Sequence, residues 1–128
     1  NGVHLAAPMT SRYADTIGPY VEAELAKADA ANGQAHSALA FTHLENAHVL
    51  GQACTYFHVR VHWRMLRWGL QQKRPAEVLG QSFRLLGAAT KTAFGWVPKG
   101  NTGGANVSPF RPMAIKPELA AIMEKACE

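Results

Sequence analysis

At 128 residues, with 48% hydrophobic and 17% charged side chains, the chain fits one folded domain able to bury most of its unfolded surface. No run of eighteen apolar residues exists to span a bilayer, and the two cysteines, Cys54 and Cys127, form no C-x-x-C pair, which excludes a disulfide framework and a thiolate zinc knuckle. The net charge of +4 is spread rather than gathered into a basic block, so nucleic-acid binding is not favoured. A reducing cytoplasm is the expected location, without membrane attachment.

The opening residues 1–8 precede Met-Thr-Ser-Arg at Met9 to Arg12 and read as an expression remnant, leaving 9–128 as a single helical domain. Thr10 or Ser11 can cap a first helix, whose stripe is Tyr13, Ile17, Tyr20, Val21, Leu25 and Ala28. Gly18-Pro19 interrupts it, which predicts a short turn followed by the main helix from Pro19 to Ala31, ending at Asn32-Gly33. Glu24 lies at the edge of the stripe and is the one acid here placed to face inward.

A second helix, about Gln34 to Gln52, is alanine-rich and apolar nearly all round, as a central helix is. Phe41, Glu45, His48 and Gln52 share a sector of roughly 60°, while His43 points toward the side of Leu50. A break at Ala53-Cys54-Thr55 precedes a third helix to about Lys73. On it His58 and His62 occupy the middle of the apolar arc, with Gly69 in the same sector and Arg60, Arg64 and Arg67 opposite. The arginines read as a solvated face, with phosphate or an acidic partner as the alternative. The tryptophans and Met65 read as core.

Pro75 opens a fourth helix to about Phe94, with Leu79, Phe83, Leu86, Thr90 and Phe94 predicted as its core face. From about 95 to 117 the prolines and glycines forbid regular helix, giving an extended strap held down at Trp96, Val97, Val107, Phe110, Met113 and Ile115. A short last helix runs from Pro117 to about Ala126. The expected fold is therefore all-α: four main helices in two antiparallel hairpins, bundle or TPR-like, closed by the strap and the short helix.

The chemistry concentrates in an E-x-x-H step, Glu45 to His48, and an H-x-x-x-H step, His58 to His62, each placing two ligand types on one side of a helix. If helices two and three pack as an antiparallel hairpin, Glu45, His48, His58 and His62 form a metal site, with Glu24 and His43 as further candidates. Imidazole and carboxylate suit zinc, iron, nickel, cobalt or copper. A shared ion requires His48 and His58 to approach to roughly 3 to 4 Å, since each bond is about 2 Å. One E-x-x-H step is too few for a di-iron centre, and H-x-x-x-H lacks the glutamate of the metalloprotease motif. The competing account is a structural polar network without metal in a module that meets a protein partner or a second copy. An enzyme is the weakest account, because no nucleophile and base pair stands out.

The words H-L-E-N-A-H-V-L-G-Q, H-V-R-V-H-W-R-M-L and G-N-T-G-G-A-N-V-S-P-F-R-P-M-A-I resemble a small bacterial family known only as a domain of unknown function. The resemblance covers most of the chain from Met9 onward. It carries no activity, and it implies a link with heavy-metal handling genes. The segments that match are those holding His43, Glu45, His48, Gly51, Gln52, His58, His62 and Trp63, and the strap from Gly100 to Met113.

Overall fold

The computed structural model describes residues 11–93, 103–105 and 112–127, with the side chains of 11 and 89–93 left aside. Five helices account for most of it: α1 (Ser11–Gly33), α2 (Ser37–Gly51), α3 (Thr55–Gln71), α4 (Pro75–Ala93) and α5 (Pro117–Cys127). The fold is an all-α bundle, with no strand among the described residues. α1 packs against α2 and α3 against α4 as two hairpins, α2 meets α3 along a narrower seam, and α5 lies across α1 and α2.

Both hairpin turns have the same design. After α1 the His36 N–H bonds the Ala31 carbonyl at 2.8 Å, and after α3 the Arg74 N–H bonds the Gly69 carbonyl at 2.9 Å. The residue that reverses the chain is left-handed in each, Ala35 at φ 61° and Lys73 at φ 54°. This is the six-to-one closure of a Schellman turn, built here without the usual glycine. Each turn takes up three residues, which forces the following helix back along its predecessor.

The sequence-based break at Gly18-Pro19 is corrected: α1 runs unbroken through Pro19. Pro19 removes the donor for the Asp15 carbonyl, but both residues are on the exposed side, where water can replace it. On the opposite side Tyr13, Ile17, Val21, Leu25, Ala28 and Ala31 are all buried, and that continuous stripe keeps the rod intact. Tyr20, expected in it, is 38% exposed. Gly18 meets the Phe57 ring, which a Cβ would approach to 3.2 Å.

The shared core is Ile17, Val21 and Leu25 of α1, Leu44 and Leu50 of α2, Val61 and Met65 of α3, and Met123 of α5. Trp68 joins it and donates its Nε1–H to the Ser37 carbonyl. Trp63 does not: it is 49% exposed. The α3 arginines are not a simple solvated face either. Arg60 pairs with Glu22, and Arg64 with Asp29, so two of the three clasp α3 to α1 while Arg67 stays exposed.

The largest correction concerns α4. Its predicted core residues Leu79, Phe83 and Leu86 are 73%, 62% and 77% exposed, while Gln81, Arg84 and Ala88 face inward. The helix is rotated because the inward side answers polar groups of α3 instead of adding to the oily core. The Thr90 side chain, Phe94 and most of the strap, including Trp96, Val97, Val107 and Phe110, fall outside the described residues. Of the other strap points, Ile115 packs on the core and Met113 is half-buried.

Candidate metal centre

His58 and His62 stand one turn apart on α3, and His48 comes from the last turns of α2. Two local features bring them together. At the α2–α3 turn Gly51 lets Phe57 lie so close that a Cβ would sit 2.7 Å from the Phe57 Cβ. Between α3 and α4, Gly69 admits Val78, whose Cγ2 would be 3.3 Å from an added Cβ. The close approach on one side presents His48 to His62, and that on the other presents Gln81 of α4 to the same ring.

The His62 Nε2 is 3.1 Å from His48 Nε2 and 3.1 Å from His58 Nε2. One ligand atom from each of the three rings lies within 4.8 Å of the other two. The rings meet edge to face or tilted, with centroids 4.7 to 5.0 Å apart. Exposure is 3% for His48, 9% for His58 and 2% for His62.

The protonation pattern follows from the neighbours. Gln81, fully buried, donates its Nε2 protons to Glu77 Oε2 at 2.6 Å and to the Gly103 carbonyl at 2.7 Å. Both are acceptors only, so the amide orientation is set and Oε1 faces His62. His62 Nδ1 is 2.6 Å from that oxygen and must carry the proton. A neutral imidazole has one N–H, so the His62 Nε2 lone pair is bare and points at two further ring nitrogens. A hydrogen-bonded outer amide that fixes tautomer and ring direction is how metal-binding histidines are held.

Residues 103–105 close the site from above. Gly103 has φ 85°, and a Cβ there would come within 2.5 Å of His48 Cδ2. Ala105 donates its N–H to Glu77 Oε2 at 3.0 Å, so one carboxylate ties both Gln81 and this segment. Burial pushes the His62 pKa down from 6.5 to about 4, against the hydrogen bond that His62 donates to Gln81, and the Arg84 charge adds to the fall. His62 is thus neutral, the form that ligates, throughout the physiological range. Arg84 is itself depressed by burial, with Glu77 acting the other way.

Three of the sequence-based ligand candidates converge, then, and three lie elsewhere. Glu45 is half-buried one turn before His48 and is outside the group of ligand atoms within 4.8 Å. Glu24 and His43 answer each other: His43 Nδ1 is 3.1 Å from Glu24 Oε2, and Asn46 Nδ2 donates to Glu24 Oε1 at 2.8 Å. Apart from these candidates, Cys54 is buried, with its thiol pushed up to about 11 by burial, and is outside the group. Sequence reasoning missed Gln81, Glu77, Arg84 and Gly103. Their signal was present as a polar repeat on α4, Glu77, Gln81 and Arg84 at spacings of four and three, opposite the apolar stripe.

Fold and site together define a class: a helical protein whose three buried imidazoles could hold a metal ion. The chain belongs to the family described as "Protein of unknown function (DUF3703)", whose model matches residues 15–123. No curated protein and no solved structure matches it.

Proposed function

We propose that the protein binds one transition-metal ion, zinc, iron, nickel, cobalt or copper, through His48, His58 and His62, for sequestration, sensing or handover. The observation that carries this is the 3.1 Å approach of two ring nitrogens to a His62 Nε2 whose lone pair is bare. Two metal bonds of about 2.0–2.1 Å at a tetrahedral angle set their nitrogens roughly 3.3 Å apart; both distances to His62 Nε2 are near that value, and the His48 and His58 ligand atoms lie within 4.8 Å of each other. A metal-free network uses the same lone pair less well, because only one of two neighbouring N–H groups can address it in line. The site's burial favours retention over turnover. The proposal places the protein in the cytoplasm, where thiols such as the exposed Cys127 stay reduced; no helix of the described residues is long and apolar enough to cross a membrane.

The test is metal titration of tag-free, chelator-stripped protein with content measured by plasma mass spectrometry. One ion per chain, lost in the His58→Ala, His62→Ala double variant, supports the proposal. A wild-type chain that takes up none of the five metals rejects it.

A second role rests on a separate observation. Leu79, Phe83 and Leu86 form an exposed apolar stripe at spacings of four and three, the rhythm of a helix that packs on another helix. This supports a TPR-like surface for a protein partner or a second copy. Sedimentation velocity of wild type and Phe83→Glu tests self-association: a concentration-dependent dimer abolished by the charge is the outcome for a second copy, and a monomer at all concentrations rejects it.

A further inference from the structure

We infer that the ion held by His48, His58 and His62 takes a small monovalent anion as its fourth ligand, and that the side-chain amide of Gln52 holds that anion. The inference rests on the metal-binding proposal and adds to it the class of molecule that completes the site.

Three observations point the same way. The first is charge. All three ligands are neutral imidazoles, and no carboxylate or thiolate of the described residues joins the group. Around them Arg84 and Glu77 act on each other with opposite charge, so this pair contributes little net compensation. A divalent ion would bring two positive charges into a site whose rings are 9% exposed or less, and a buried charge needs a partner. The second is coordination. Three protein ligands leave one position of a four-coordinate ion for an exogenous group.

The third is an unused donor. Gln52 follows His48 by four residues, which puts it about 40° round the same face of the chain, one turn on. It is 1% exposed, and its Nε2 has no hydrogen-bond partner. A buried amide donor without an acceptor is uncommon and calls for an explanation. The turn that closes α2 therefore carries, one turn on from His48, an N–H group suited to a ligand with a negative charge and a spare lone pair. Hydroxide, chloride and a small carboxylate share that chemistry.

Cobalt(II) and azide are the probes, because four-coordinate cobalt absorbs visibly and its bands change when an anion enters. Tag-free protein loaded with cobalt is titrated with azide, alongside Gln52→Leu, Gln52→Met and Glu45→Gln, each checked for fold by circular dichroism. The expected result is saturable azide binding in wild type and in Glu45→Gln. Both Gln52 variants should keep their cobalt affinity and lose tenfold or more in azide affinity, the range for one hydrogen bond to a charged group. Cobalt binding with no azide response overturns the inference while leaving the metal proposal standing. So does a response seen only in Glu45→Gln, which would show the chain's own carboxylate filling the fourth position. A Gln52 variant that loses cobalt affinity itself would make the amide a metal ligand and also overturns it. Absence of cobalt binding overturns this inference, and the metal proposal falls with it only where zinc, iron, nickel and copper are refused as well.

Discussion

Replacing Gln81 by leucine removes the amide that sets the direction of His62 while keeping a side chain of similar length. Three contacts disappear at once: the acceptor for His62 Nδ1–H, and the donors to Glu77 Oε2 and the Gly103 carbonyl. Gln81 has no exposed surface, so water cannot fill in without a cavity. Each buried group left without its partner costs about 1–3 kcal/mol. Glu77 keeps its bond from the Ala105 N–H and is half-buried, which puts its share at the low end. The sum is roughly 3–7 kcal/mol, a large share of the roughly 5–15 kcal/mol that holds an ordinary domain folded. Metal affinity should fall by about 10- to 100-fold, since His62 is free to turn its proton toward the ion site. Urea unfolding of the stripped protein gives the first number and a competitive chelator titration the second. Equal metal affinity in Gln81→Leu and wild type would refute the claim that this amide orients the ligand, whatever happens to stability.

Gly103→Ala meets two penalties, a φ of 85° that L-residues rarely adopt and a Cβ 2.5 Å from His48 Cδ2. The backbone term alone is about 1–2 kcal/mol, so the urea midpoint should drop and metal affinity with it; wild-type behaviour in both would show that 103–105 does not press on the site. Acid should weaken the stripped protein in a defined window. Because the folded pKa of His62 lies below 6.5, at about 4, the unfolded chain takes up this proton first. The stabilisation is complete above 6.5 and is lost as pH falls toward 4, by roughly 1.4 kcal/mol per unit. Nitrogen-15 NMR showing a neutral His62 ring at pH 5 fits, and a midpoint near 6.5 does not. Met65→Ala opens a hole in the fully buried centre and should cost about 2–5 kcal/mol by denaturant unfolding; a loss under 1 kcal/mol would mean that the core is not where the packing puts it.

Much of the helical scaffold was readable because its stripes are long: Tyr13 to Ala31 on α1 and Phe57 to Trp68 on α3 repeat at helical spacing and are buried. The same arithmetic put His58 and His62 mid-arc. It fails on α4, where hydrophobicity does not mark the inward face. There the inward side carries Gln81, which answers His62, while Leu79, Phe83 and Leu86 face out. Sharing a sector with His48 was also not enough to bring Glu45 into the imidazole group, because a sector fixes direction round α2 and not which atoms the neighbouring helix brings within reach. Gly103 could not be placed from sequence, because a loop of glycine, asparagine and threonine has no period that fixes its path.

The clasp between α1 and α3 has a different character from the rest of the interior. Asp29 is 68% exposed and Glu22 51%, so salt reaches both ion pairs, whereas the imidazole side of α3 is closed to it. Raising ionic strength therefore slackens one flank of the third helix and spares the other. Under such conditions the two hairpins would part first along the arginine edge, hinging about the glycine-tight joint at Gly51, and the outer border of the bundle would breathe before the imidazoles lose their grip.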